Sequence, residues 1–208
     1  MKVFYICPIS NNKLLLVGEL NKNGIFTTGF YIYDESNSNL ISSKILKTSK
    51  HSTANKNVLI YQGNFSKNFE GISYNFLSVS KIFIFNLDGT FNKEIDTKES
   101  VPIPKLAEKQ IGKNKEDTMY VYMRGKTFAT NIGSFRIKDT LFALSYRVNQ
   151  TDDFLTIDRY IISDNEYNSS LKLNYNNKNN RDLLYVSQNK ESIFLVFIDS
   201  VLSLKIDN

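Results

Sequence analysis

Six short runs that are apolar at every position constrain this chain more than any motif in it: Leu14 to Val17, Val58 to Tyr61, Ile82 to Phe85, Leu141 to Leu144, Leu183 to Val186, and Ile193 to Ile198. Each is strand-length, and turn residues bound most of them. A strand with one wet face alternates apolar and polar residues, so a run without alternation needs cover on both faces. The runs therefore predict strands in the middle of a layered, all-β structure.

Helical signal is nearly absent. The one candidate is Lys105 to Ile111, after Pro102 and Pro104, with at most two turns. Hairpins recur instead. Asp88-Gly89 joins Ile82 to Leu87 with Phe91 to Ile95, and Asp199-Ser200 joins Ile193 to Ile198 with Val201 to Ile206. Asn11-Asn12 and Asn23-Gly24 supply further tight turns, because the primed turns of two-residue hairpins need positive φ. Three units share one plan, an apolar strand, a polar turn and a second, more polar strand: Phe30 to Asp34 with Leu40 to Leu46, Ile82 to Asp88 with Phe91 to Ile95, and Ile157 to Asp164 with Ser170 to Leu173.

The runs beginning at Leu14, Val58, Leu141 and Leu183 are 44, 83 and 42 residues apart, with a degenerate member expected near Val101. A period of roughly 40 to 45 residues holding four strands matches one propeller blade. Both faces of a blade pack on neighbouring blades, so its middle strands turn continuously apolar. The expectation is a propeller-like single domain over residues 1–208, with about four to five four-stranded antiparallel blades. A two-sheet β-sandwich is the alternative, and Ser73 to Ser80 and Met119 to Arg124 read that way by their alternation.

In order along the chain, several segments resemble the TolB-like, six-bladed propeller lipoproteins of Bacteroidota. They are Leu14-Leu15-Leu16-Val17-Gly18, Phe30-Tyr31-Ile32-Tyr33-Asp34, Tyr61-Gln62-Gly63, Lys81 to Gly89, the pair Pro102 and Pro104, Leu141 to Tyr146, and Tyr160-Ile161-Ile162-Ser163-Asp164. The resemblance implies a periplasmic or cell-surface location and a lipidated leader. No leader is visible in this chain: the apolar stretch from Met1 to Cys7 is shorter than the roughly 7 to 15 residues of a signal peptide's apolar region. A lipid anchor is implied only with an upstream leader. Six blades exceed the room available here, so a chain incomplete at its N-terminus stays open. The family brings no established catalytic residues.

Composition narrows the partners. The net charge of +5 comes from 21 Lys against 5 Arg, scattered through turns. Nucleic-acid binding favours clustered arginine with stacking aromatics, and no such stripe exists. No stretch approaches the roughly 18 apolar residues of a membrane-spanning helix. Cys7 is the single cysteine, which rules out an internal disulfide.

Candidate chemistry is thin. His51, the single histidine, lies in the polar run Lys47 to Asn57 without a recognisable acid or nucleophile, and a Cys7–His51 dyad is the weakest option. One Cys and one His cannot supply the ligands of a zinc site. Asp164, Glu166 and Asn168 alternate as calcium ligands do, yet lack the glycine and distal glutamate of a calcium loop. Glu116-Asp117 and Asp152-Asp153 read as loop carboxylates, and the nine glycines, Gly125 and Gly133 among them, form no phosphate loop. Asn176, Asn177, Asn179 and Asn180 read as an inter-blade loop, and Arg124, Arg136, Arg147 and Arg159 either converge at a channel mouth or sit on strand ends. No catalytic residue, metal or cofactor is expected, and the ligand-binding residues are unknown. The function read from this is a non-enzymatic propeller whose loops bind a protein or glycan partner. A propeller-type hydrolase or lyase with carboxylates at the central channel is the alternative, and a polyanion binder is a weaker third.

Overall fold

Tight turns cut the chain into strands that pair with their immediate neighbours. The computed structural model describes residues 1–98, 102–111, 118–123, 131–145, 154–174, 183–188, 192–197 and 201–205. The first sheet runs β1 (Lys2–Ser10), β2 (Lys13–Lys22), β3 (Ile25–Asp34) and β4 (Asn39–Ser49), each antiparallel to the next. Helix α1 (Ala54–Ile60) follows. The second sheet is β5 (Gly63–Lys67), β6 (Ile72–Phe76), β7 (Lys81–Phe85) and β8 (Phe91–Asp96). A separate hairpin, β9 (Leu106–Gln110) with β10 (Thr118–Tyr122), precedes the third sheet, β11 (Asn131–Ile137), β12 (Thr140–Ser145), β13 (Phe154–Ile161) and β14 (Glu166–Asn174). The fourth sheet is β15 (Leu183–Gln188), β16 (Ser192–Phe197) and β17 (Val201–Lys205).

The turns form as their residues dictate. Asn23 and Gly24 take φ of 54° and 79°, the pair of positive values a type I′ turn requires. At the β7–β8 turn Gly89 takes φ of 85°, while the Asp88 carboxylate accepts hydrogen bonds from the Thr90 amide at 2.9 Å and hydroxyl at 2.6 Å. All three strand pairs that share one plan in the sequence are the third and fourth strands of a four-stranded sheet.

Cover on both faces is literal in β7. Phe83 and Phe85 join a core with Leu15, Val17, Phe30 and Ile32 of the first sheet, whereas Ile82 and Ile84 join one with Leu141, Ala143 and Tyr160 of the third. In β12, Leu144 turns the other way, into a core with Ile193 and Leu195 of the fourth sheet. The sheets therefore stack face to face in chain order, and their first strands β1, β5, β11 and β15 lie together along one side. The described chain divides into five sheets, not the two of a sandwich. The alternation in β6 has another cause: Ser73 and Asn75 are buried against β11, where the Ser73 and Ser134 hydroxyls lie 2.8 Å apart and Asn75 donates to the Asn131 carbonyl at 3.4 Å.

Lysines stitch the stack. Lys67 donates to the Pro8 and Ile9 carbonyls at 3.0 and 2.6 Å, and Lys93 to those of Ile162 and Ser163 at 2.6 Å each. Part of the basic composition thus joins neighbouring sheets.

Two expectations are corrected. The run Val58 to Tyr61 is no strand: Val58, Leu59 and Ile60 belong to α1. Four apolar residues cannot separate strand from helix by periodicity. Tertiary contacts decide here, because α1 buries Ala54 and Asn57 and leaves Val58, Leu59 and Ile60 only partly covered. The carbonyls at its C-terminal end, which no helix can satisfy internally, accept tyrosine hydroxyls: Tyr122 to Leu59 at 2.6 Å, Tyr5 to Val58 at 3.3 Å, and Tyr74 to Tyr61 at 2.7 Å. Burial raises all three hydroxyls above their ordinary pKa, which keeps them protonated donors. The expected helix from Lys105 to Ile111 is instead strand β9, held in register with β10 from Leu106↔Tyr122 to Gln110↔Thr118. With Pro102 and Pro104 before it, so short a segment gains more from cross-strand pairing than from a helix too short to stand alone. The 44-83-42 spacing therefore compared a second strand, a helix, a second strand and a first strand. The expected member near Val101 falls outside the described residues.

Candidate functional site

Strand parity builds the most distinctive polar cluster. Leu15 and Val17 of β2 face the core, so Glu19 faces inward too, and its cross-strand partner Thr28 lies beside it. Glu19 is 3% exposed and Asn57, beneath it on α1, is fully buried. One carboxylate oxygen of Glu19 accepts from the Ser52 hydroxyl at 2.5 Å. The other accepts from the Thr53 amide at 2.9 Å and hydroxyl at 3.2 Å, with the Thr28 hydroxyl further off at 3.5 Å. Asn57 donates to the hydroxyls of Thr28 and Thr53 at 2.7 Å each, and its amide oxygen has no partner among the described residues. The cluster pins the β4–α1 loop to the end of the first sheet.

This loop closes one wall of a cleft. Met1, Lys2, Glu19, Asn21, Phe26 and Ser52 line a cavity of about 240 Å3. Lys2 pairs across the sheet with Glu19, and Asn21 with Phe26, so strand register sets the spacing of ammonium, carboxylate, amide and ring. Burial, with the nearby Glu19 charge adding to it, pushes the Tyr31 hydroxyl up to about 12. A second cavity, between the second and third sheets beside Arg136, holds about 10 Å3, room for at most one water.

None of the cleft's residues stands out as chemistry in the sequence, yet one signal was there. A carboxylate three residues after Leu16, in phase with Leu15 and Val17, lands on the core side of the strand and needs buried donors.

The residues singled out from sequence do not converge. Cys7 is buried in register with Leu15, and burial raises its thiol pKa against the lowering effect of Lys67. His51 follows the end of β4, where Ser49 pairs with Phe26; six residues of β3 separate the two levels, roughly 20 Å at strand spacing. Asp164 is exposed in the β13–β14 turn, accepting the Ser163 hydroxyl at 2.9 Å, with Glu166 and Asn168 exposed on β14. Arg136 and Arg159 stand on opposite faces of the third sheet. Arg136 donates to the Lys138 carbonyl at 2.7 Å and meets Glu70, while Arg159 lies over the Phe142 ring at 5.6 Å. Arg124, Arg147, Glu116, Asp117, Asp152, Asp153, Gly125, Asn176, Asn177, Asn179 and Asn180 lie outside the described residues. Among the described residues no three metal-ligating side chains gather, and no helix is long and apolar enough to cross a membrane.

No family model and no curated protein matches this chain. Among solved structures it is similar to a member of the DUF4221 family from Bacteroides vulgatus, with 8% identity, a TM-score of 0.36, and coverage of 85% of this chain and 56% of that one. The chain thus spans little more than half the length of that protein, and a likeness this loose carries no argument.

Proposed function

We propose that this chain is a non-enzymatic binding module of propeller type, and that the cleft at Glu19 receives a single sugar-ring-sized unit of a glycan. The architectural part rests on the first strands. Strand β5 contacts β1, β11 and also β15, two sheets away, which is the relation expected when sheets turn about a shared axis as blades. An experimental structure with the four sheets in a straight row would overturn it.

The ligand class follows from the cleft. About 240 Å3 falls short of the ~300–1,000 Å3 that enclose drug-sized ligands, so one ring fits and a long chain does not. Phe26 offers an apolar ring for the C–H face of a sugar, while Glu19, Asn21 and Lys2 offer acceptor, amide and donor for its hydroxyls. The single observation that carries the reading is that Glu19 is already fixed by Ser52 and Thr53, so the polar wall is formed before any ligand arrives. Of the two Glu19 carboxylate oxygens, the one that among the described residues accepts only from Ser52 keeps room for a further donor.

Saturation-transfer NMR with the methyl glycosides of neutral and N-acetylated hexoses tests this. The expected result is transfer to at least one glycoside that Phe26→Ala abolishes. Silence across the panel, or transfer indifferent to Phe26→Ala, removes the glycan reading. An exported or surface-anchored location, periplasmic or on the cell exterior, belongs to the same proposal through the family resemblance, and the genomic sequence upstream of Met1 tests it by the presence of a lipidated leader.

A further inference from the structure

The β9–β10 hairpin presents a surface that the cleft does not use. Directly opposed residues of an antiparallel pair share a face, and the register places Met119 against Lys109 and Val121 against Ala107. Met123 continues the row, its amide donating to the Lys105 carbonyl at 3.0 Å. The other face meets the rest of the molecule at Tyr122, which donates to the Leu59 carbonyl and to the Gln62 side chain at 2.6 and 3.0 Å, while Tyr120 donates to Glu108 across the hairpin at 3.1 Å. The first face is thus an apolar stripe, with Met119, Val121 and Met123 exposed by 41%, 36% and 41%. A lysine stands at each end and a small alanine at the middle. Among the described residues neither Lys105 nor Lys109 forms an ion pair and no carboxylate shares their face. Among those residues neither strand has a second strand neighbour.

We infer that this face takes an extended segment of a partner protein, added as a strand beside β9, whose side chains on the docked face run carboxylate, apolar, carboxylate at alternate positions. Charge and size choose that order. Directly opposite β9 the end lysines call for carboxylates, and the gap over Ala107 accepts a branched apolar side chain that also meets Val121. A two-stranded hairpin is marginal by itself, and a third strand pairs backbone groups that are open along its edge. An anionic lipid surface matches the lysines and the stripe but has no partners for that edge.

The probe is a labelled synthetic peptide with glutamates two residues either side of a central valine and threonines between, titrated against the full chain by fluorescence anisotropy. Its control carries lysines in place of the glutamates. The expected result is saturable binding of the glutamate peptide at least tenfold tighter than the lysine peptide, with the preference inverted on the double variant Lys105→Glu, Lys109→Glu. Equal binding, binding of neither, or an unchanged preference on a folded double variant overturns the inference. The wild-type comparison decides by itself where the variant fails to fold. Retention of the chain on phosphatidylserine vesicles, without competition from the glutamate peptide, overturns it in favour of a membrane surface.

Discussion

Strand β7 gives the sharpest test of a chain built from strands covered on both sides. Ile84 is 1% exposed in the core shared with the third sheet, and Phe85 is fully buried in the core shared with the first, 4.9 Å from the Phe30 ring and 5.8 Å from that of Phe91. The two residues are neighbours in sequence and point opposite ways. A strand with one wet face would show one costly and one nearly silent substitution, since exposed positions usually change stability by about 0.5 kcal/mol or less. Burial on both sides predicts two large losses: roughly 2 to 5 kcal/mol for Ile84→Ala and roughly 3 to 5 kcal/mol for Phe85→Ala, from lost transfer energy plus the cavity left behind. Against a total of about 5 to 15 kcal/mol for an ordinary domain, both variants are measurable. Urea unfolding followed by circular dichroism and tyrosine fluorescence reads the difference as a shift in midpoint at constant slope. Leu87→Ala, at a residue 42% exposed beside the same turn, is the control. The reasoning fails if either Ile84→Ala or Phe85→Ala behaves like Leu87→Ala.

Two glycines with positive φ separate backbone strain from packing. Gly24 has open space around it, so Gly24→Ala should cost only the left-handed penalty of about 1 to 2 kcal/mol, whereas at Gly89 an added methyl meets Ile9 and Ile32, and Gly89→Ala should cost more by the same urea assay. Glu19→Gln should destabilise by about 1 to 3 kcal/mol, because an amide nitrogen then faces the donors of Ser52 or Thr53; full stability in the variant would deny that the carboxylate latches the loop. Hydrogen bonds from Lys81, and then Lys44, hold Glu94 below its ordinary 4.5, and bonds to Asp96 and Glu94 raise Lys81 above 10.5. The Glu94 contribution is therefore complete above pH 4.5 and disappears as pH falls through the lowered value, while the Lys81 contribution disappears only as pH rises past 10.5. Both groups are more than a third exposed, so the effect is small. Its signature is that any advantage of wild type over Lys81→Met is flat across neutral pH and shrinks in acid.

Legibility followed the range of the interactions involved. Turns at Asn23-Gly24 and Asp88-Gly89 are decided within four residues, and the sequence exposes them directly. The apolar runs of β2, β7 and β12 were legible as strands buried on both faces because coverage leaves its mark on every position, whereas the equally apolar run of β16 buries Ile193 and Leu195 and leaves Phe194 and Val196 half-exposed. The three matched strand pairs revealed the outer halves of the four-stranded sheets. Hidden were the features set by distant partners: the buried polarity of Ser73 and Asn75, answered by Ser134 and Asn131, and the lysines whose acceptors lie on another sheet. The Glu19 cluster belongs here too, because its donors come from a loop more than thirty residues on.

The two places where local pattern misled are the two insertions between successive stacked sheets, α1 and the β9–β10 hairpin, and they touch each other through Tyr122, Leu59 and Gln62. Neither serves the stack of sheets in the way a strand does. Helix α1 breaks the rule of apolar burial, turning Asn57 inward while Val58, Leu59 and Ile60 stay half-exposed, and so carries the Ser52–Thr53 loop that walls the cleft. The hairpin breaks the rule against exposed apolar strands, and so carries Met119, Val121 and Met123 into solvent. Local rules are usually broken where a chain does something besides fold. Here both breaks fall on the segments that frame the proposed sites, and the hydroxyl of Tyr122 links them. Tyr122→Phe should therefore loosen the hairpin, lowering amide-exchange protection in β10 first, while leaving the cores of the stacked sheets as protected as before.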